Sequence, residues 1–230
     1  MQNRIYPQSP ASFNGASDLH HFGNSKPAHG PILKWAGGKL KLLPQLQPLL
    51  AEVPGERLIE PFVGAGSVFL STDYDEYVIG DANTDLIATY TALQKRPHEF
   101  IERAYQFFVQ HNLTQEAFLR IRKEFNALSD PFERAVRLPY LNSHCFNGLF
   151  RTNNSGDFNT SFGKPKKVTH IHIVRMLAAA RKLQSTVVVN GGFEETLKFV
   201  RAEVKVSHRA DWVVSQGWKP TQRWSAVDKC

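Results

Sequence analysis

Three short apolar runs punctuate the chain. They are Arg57 to Glu60, Tyr77 to Asp81, and the β-branched stretch Thr186 to Val189. All three read as strands, and the first, short and apolar before a Gly-rich turn, reads as a buried one. Between them the period changes to that of a helix. Leu40 to Leu50 carries leucines at helical spacing, with Pro44 in the first turn, where a missing N–H does no harm. Asn83 to Lys95 sets Leu86, Ile87, Tyr90 and Leu93 at helical positions. Ser67 to Thr72 reads as the start of a helix, Ile171 to Leu183 as a helix and Glu194 to Phe199 as a short one. Strands alternating with helices predict an α/β fold.

Residues 97 to 146 change character. Pro97 opens a helix running through Phe107 and Phe108, Thr114 opens another, and Asp130-Pro131 opens a third. This is a helical insert between strand units. Asn153-Asn154-Ser155-Gly156-Asp157, between Arg151 and Phe158, is a turn signal and predicts a β-hairpin. Residues 1–29 are rich in Pro, Ser, Asn, Gly and His without periodicity and read as a disordered tail. His20, His21 and His29 read as solvated rather than metal-binding, and no metal is expected. After Glu203 the pattern weakens. The expected division is 30–96 with 168–203 as one domain, 97–167 as the insert, and 204–230 as a divergent tail.

Composition narrows the function. A net charge of +7 favours a polyanionic partner, nucleic acid above all. Cys145 and Cys230 are the only cysteines, too few for a disulfide scaffold, which fits a reducing cytoplasm. No apolar run approaches the roughly 18 residues of a membrane span, and the N-terminus carries no apolar signal core. The chain is read as a cytoplasmic monomer.

A strand, a Gly-x-Gly turn, a helix, a second strand and an acidic residue make a nucleotide-binding arrangement. Gly64, Gly66 and Asp81 satisfy it. Glycines let backbone approach a ligand, and the carboxylate takes a ribose hydroxyl pair. A P-loop fails around Gly38-Lys39, because its first glycine position is Leu33 and its last position is Leu40. A plain dinucleotide fold would place a third glycine where Phe69 stands.

Two strings decide between these readings. Lys34-Trp35-Ala36-Gly37-Gly38-Lys39 and Glu60-Pro61-Phe62-Val63-Gly64-Ala65-Gly66-Ser67, in that order, resemble the cofactor half of the Dam-like, D12 class adenine-specific DNA methyltransferase family. The resemblance implies a Rossmann-like sheet and S-adenosylmethionine as cofactor. It implies that Trp35 and Lys39 bind the methionine end, that Asp81 pairs with the ribose, and that Phe62 with Gly64 and Gly66 lines the cleft. A Lys ammonium neutralises a carboxylate, and an aromatic face favours a sulfonium. Phe193, after the third strand, is placed against adenine.

Tyr140 to Arg151 resembles the family's DNA-reading segment. A methylase acting on a duplex base must extrude it, fill the gap and hold the orphaned strand. The resemblance assigns Phe146 as the wedge, Asn147 as the carboxamide beside it, Leu149 to a thymine methyl and Arg151 to guanine. Lys164, Lys166 and Lys167 form a basic cluster suited to phosphates. The partner expected is double-stranded DNA with a GATC-like target. Phe146 stands where the family often has Tyr, and Ser161 where it usually has Pro.

The family also carries Asp-Pro-Pro-Tyr, which aims a carboxylate and a carbonyl at the adenine amine. The 230 residues contain no Pro-Pro dipeptide. No catalytic residue is therefore assigned. Asp130-Pro131-Phe132 lies before the recognition segment and starts a helix. Asp211-Trp212 lacks the prolines. The resemblance is expected to run from about 31 to 200 and then stop, as a truncation or frameshift would make it, leaving an incomplete sheet. On this reading the chain is an adenine methyltransferase by descent; the alternatives are a catalytically silent DNA-binding module and an unstable fragment.

Overall fold

The computed structural model describes residues 30–52, 56–110, 114–165, 172–200 and 204–206, with backbone alone for Gln110 and for 204–206. The expectations for the 1–29 tail, His20, His21, His29, Lys166, Lys167 and Asp211-Trp212 lie outside the described residues.

Four parallel strands form the sheet: β1 (Arg57–Glu60), β2 (Glu76–Asp81), β3 (Thr186–Asn190) and β4 (Val204–Val206), in the order β3-β2-β1-β4. Leu58, Ile59, Tyr77, Val78 and Ile79 are buried, as expected of parallel strands covered on both faces. Register follows this burial, with Ile59 opposite Val78 on one side and Val206 on the other. The chain moves outward from β1 to β2 and β3, then returns to the far side of β1. That reversal opens a crevice at the carboxyl ends of the strands.

Seven α-helices are described: α1 (Leu43–Glu52), α2 (Thr84–Lys95), α3 (Pro97–Gln110), α4 (Gln115–Ala127), α5 (Pro131–His144), α6 (Ile173–Leu183) and α7 (Phe193–Leu197). Their starts match sequence signals. Asn83, Thr114 and Asp130 each accept a backbone N–H from the first turn that follows. Phe118, Ile121 and Phe125 make one buried stripe on α4. α5 packs against α2, α3 and α4. One hydrophobic core runs from Leu58 and Ile79 of the sheet to Phe100, Phe118 and Tyr140 of the inserted helices. Arg134 of α5 adds a bidentate ion pair to Asp85 of α2, at 2.6 and 2.7 Å, and reaches the Phe125 and Leu128 carbonyls.

Three expectations need correction. First, Ser67 to Thr72 forms a single 3-10 turn, Phe69–Ser71, and not an α-helix. The chain is extended again at Thr72, whose hydroxyl bonds the Val68 carbonyl and whose own carbonyl is held by Lys182.

Second, the expected hairpin has no regular strands. It carries two isolated antiparallel bridges, Cys145–Phe162 and Thr152–Phe158. Side chains take the backbone groups that a ladder would use. Asn126 bonds both the N–H and the C=O of Phe158, Arg122 reaches the Asn159 and Thr160 carbonyls, and Asn153 accepts from Ser155 and Asp157.

Third, the pattern does not end near 200. Val204–Val206 pairs with β1 as a fourth strand. Three residues are too short a run to show a period, so only the pairing reveals it.

Among the described residues no helix is long and apolar enough to cross a membrane.

Candidate cofactor cleft and recognition loop

The turn after β1 is built by backbone and carboxylate together. Gly64 N–H donates to Asp81 Oδ2 at 3.1 Å, and Asn83 N–H donates to Asp81 Oδ1 at 2.9 Å. Tyr90, buried on α2, donates its hydroxyl to the Gly64 carbonyl at 2.8 Å. Gly66 has φ +75°, and a Cβ there would lie 2.8 Å from the same hydroxyl. A side chain at 66 is thus excluded both by conformation and by space.

The 34–39 loop closes the opposite wall. Trp35 stacks on Phe150, ring centroids 5.6 Å apart, and Lys39 Nζ donates to the Gly37 carbonyl at 3.1 Å. Trp35, Lys39, Phe62, Gly64 and Asp81 line one cleft of about 430 Å³, with Glu60, Ser67 and Phe150. Gly66 stands behind it in the same turn. Phe193 meets Phe62 at 6.0 Å. Five of the six residues expected to bind or line a cofactor site thus line one cleft, and Gly66 is not among the residues that line it.

Glu60 and Phe150 are cleft residues that sequence reasoning left unassigned. Glu60 ends β1, is buried, and accepts the Phe69 N–H at 3.0 Å. Burial pushes its carboxyl up to about 8, partly opposed by that hydrogen bond and by nearby Lys39, and reinforced by Asp81. A Glu within a Gly-rich turn motif is the only sequence signal it gave. Phe150 had none, because nothing local shows that it meets Trp35.

The candidate recognition segment, 146–151, reaches this cleft at Phe150. Phe146–Gly148 is a distorted 3-10 turn with two successive left-handed residues, Asn147 (φ 53°) and Gly148 (φ 65°). Asn tolerates this conformation better than other residues with a side chain. The turn leaves Phe146 52% and Leu149 37% exposed. Neither is a core residue. Arg151 and Asn147 are exposed, and Arg151 Nε donates to Asn159 Oδ1 at 3.1 Å. Lys164 is exposed, two residues past the Phe162 bridge to Cys145. Lys166 lies outside the described residues. Cys145 itself is buried, which raises its thiol to about 11 and leaves it a packing group.

A family model described as D12 class N6 adenine-specific DNA methyltransferase matches residues 35–206. The chain belongs to this family. The match extends through β4, beyond the limit near 200 expected from motifs alone. Among its relatives, the DNA adenine methylase of Escherichia coli K12 is 47% identical over 136 residues, 59% of this chain and 48% of that protein. The DNA adenine methylase of Vibrio cholerae is 42% identical over 172 residues, 75% of this chain and 60% of that one. The DNA N-6-adenine-methyltransferase of Escherichia phage P1 is 48% identical over 136 residues, 59% of this chain and 18% of that one. The chain spans about half the length of the first of these relatives.

The buried Glu60 gives this chain a defined pH dependence. Its carboxyl titrates near 4.5 when solvated and near 8 when folded. Between those values the folded state holds a proton that the unfolded state has lost. Its contribution to stability is therefore full below 4.5 and is lost as pH rises to about 8, by at most about 1.4 kcal/mol per pH unit. Glu60→Gln removes the proton exchange and keeps an acceptor for Phe69. Urea midpoints of the two proteins should diverge as pH rises from 5 to 8.5, with the variant the more stable at the upper end. Parallel profiles would show that Glu60 is ionised in the fold at neutral pH.

Proposed function

We propose that this chain is a Rossmann-like methyltransferase module that binds S-adenosylmethionine in the glycine-turn cleft and duplex DNA on the 146–164 face. The reaction class is methyl transfer to adenine N6. One observation carries the reading: the cleft and the exposed Phe146–Arg151 segment share the Trp35–Phe150 stack as a common wall.

The cleft residues suit the cofactor. A volume of about 430 Å³ falls among small-molecule sites of roughly 300–1,000 Å³. Lys39 brings an ammonium for a carboxylate. Each Asp81 oxygen receives one backbone N–H and retains a lone pair for a ribose hydroxyl. The Trp35 ring supplies a face for a cation. When bound, the cofactor supplies an electrophilic methyl group on a sulfonium. The chain's own part is to hold that group still, exclude water and present DNA to it. Phe146, raised by its left-handed neighbours, has the exposure a wedge between bases needs. Arg151 and Lys164 supply a base-edge donor and a phosphate contact. The +7 charge favours the polyanion.

A second reading, DNA and cofactor binding without transfer, rests on one observation. The 230 residues hold no Pro-Pro, and β4 is followed by Ser207-His208-Arg209-Ala210. Without a carboxylate and carbonyl on the amine, the nucleophile is neither positioned nor relieved of its proton, a loss of several kcal/mol of barrier lowering. Tritium transfer from labelled cofactor to unmethylated duplex should stay at background. Incorporation that disappears in Asp211→Ala would instead give that residue the catalytic role.

Calorimetry tests the cleft. Weak S-adenosylmethionine binding is expected, lost in Asp81→Ala. No heat at millimolar ligand, or equal binding by the variant, refutes the assignment.

Duplex affinity should fall steeply with salt. Arg151→Ala should cost about 1–3 kcal/mol on a cognate site and relax discrimination at one base, whereas Lys164→Ala should weaken all duplexes alike. Identical behaviour of the two variants on every duplex would remove the base-reading role from Arg151.

A further inference from the structure

Two loops assigned to different ligands hang on one side chain. Asn142 is buried in the last turn of α5. Its Oδ1 accepts the Lys34 N–H at 2.8 Å, and its Nδ2 donates to the Lys34 carbonyl at 2.8 Å and to the Gly148 carbonyl at 3.0 Å. The carboxamide pairs with both backbone groups of Lys34 as a neighbouring strand would. Its second amide proton holds the recognition turn.

The two loops are also in direct contact. A Cβ at Gly148 would come within 2.4 Å of Lys34 Cβ, and Gly148 has φ +65°. Beyond this point Trp35 and Phe150 stack, at an interplanar angle of 26°. Lys34 and Trp35 lead into the cofactor cleft; Gly148 and Phe150 follow the exposed Phe146.

We propose that Asn142 is a positioning residue that couples occupancy of the cofactor cleft to the setting of the Phe146–Arg151 recognition segment. The proposal rests on the ligand assignments of the preceding subsection. Its physical basis is that the carboxamide's three hydrogen bonds all go to backbone in a buried site. A movement of Lys34–Trp35 that broke one would leave a buried polar group unpaired. The movement is passed instead to the Gly148 carbonyl. There the left-handed Asn147–Gly148 pair sets how far Phe146 stands out. Linkage makes the effect reciprocal: DNA that fixes the recognition turn also fixes the wall of the cofactor cleft.

The test is a binding cycle on the full chain. Affinity for S-adenosylhomocysteine is measured by calorimetry with and without a saturating short GATC duplex. Wild type should bind about tenfold tighter in the presence of duplex. In Asn142→Ala and in Gly148→Ala that ratio should fall towards one. Arg151→Ala, which leaves the clamp in place, should lower DNA affinity and keep the ratio once duplex is saturating. A merely structural role would lower both affinities and leave the ratio untouched.

A ligand-free arm keeps the proposal decidable where Asn142→Ala folds poorly. In 5-fluorotryptophan-labelled chain, with Trp35 assigned through Trp35→Phe, Gly148→Ala should shift the Trp35 fluorine resonance. An unshifted resonance overturns the mechanical link. A wild-type ratio of one, or a ratio preserved in both clamp variants, overturns the coupling. If wild type binds neither ligand, the ligand assignments themselves fall and the coupling with them, an outcome distinct from binding without coupling.

Discussion

The three hydrogen bonds of the Asn142 carboxamide hold the candidate site in one frame. They join Lys34, near the start of the described chain, to Gly148, in the recognition turn, across 108 positions between Lys34 and Asn142. The loop that lines the cleft has no strand or helix of its own between Gly30 and Lys39. Its backbone at Lys34 is satisfied by a side chain projecting from α5. Placement of Trp35, and through it the wall of the cleft, therefore depends on where α5 sits.

The position of α5 is in turn set by packing and charge. It contributes Val136, Leu138, Tyr140 and Leu141 to the same core as the sheet. Arg134 ties its first turns to Asp85 at the start of α2, and its guanidinium lies 4.0 Å above the Phe125 ring. α2 itself begins just after Asp81, the carboxylate that holds the Gly64 turn. One chain of contacts thus runs from the sheet end through α2 and α5 to the recognition turn.

The cleft places two carboxyl groups near each other in different surroundings. Asp81 accepts two backbone N–H groups and is partly exposed. Glu60 is buried with one donor, so desolvation favours its neutral form up to about pH 8. Both groups stand at carboxyl ends of adjacent strands, on the side of the sheet where the strand order reverses at β1.

The amino-acid sequence by itself determined the local elements. Caps at Asn83, Thr114 and Asp130, the strand runs of β1 to β3, and the glycine turn with its distal aspartate are all local signals of period or turn chemistry, and all are where those signals put them, although β3, at the sheet edge, buries only Thr186. Tertiary structure decided what no local pattern encodes. The Phe69–Ser71 turn is cut short by contacts from Lys182. The 151–160 loop keeps a single bridge, Thr152–Phe158, and gives further backbone groups to Asn126 and Arg122, which lie on α4. β4 is a strand because β1 offers it an edge. Glu60 and Phe150 became cleft residues, and Asn142 a clamp, only when distant segments met. A carboxamide or a carboxyl reads alike in any sequence; its burial and its partners, which set its chemistry, exist only in the folded chain.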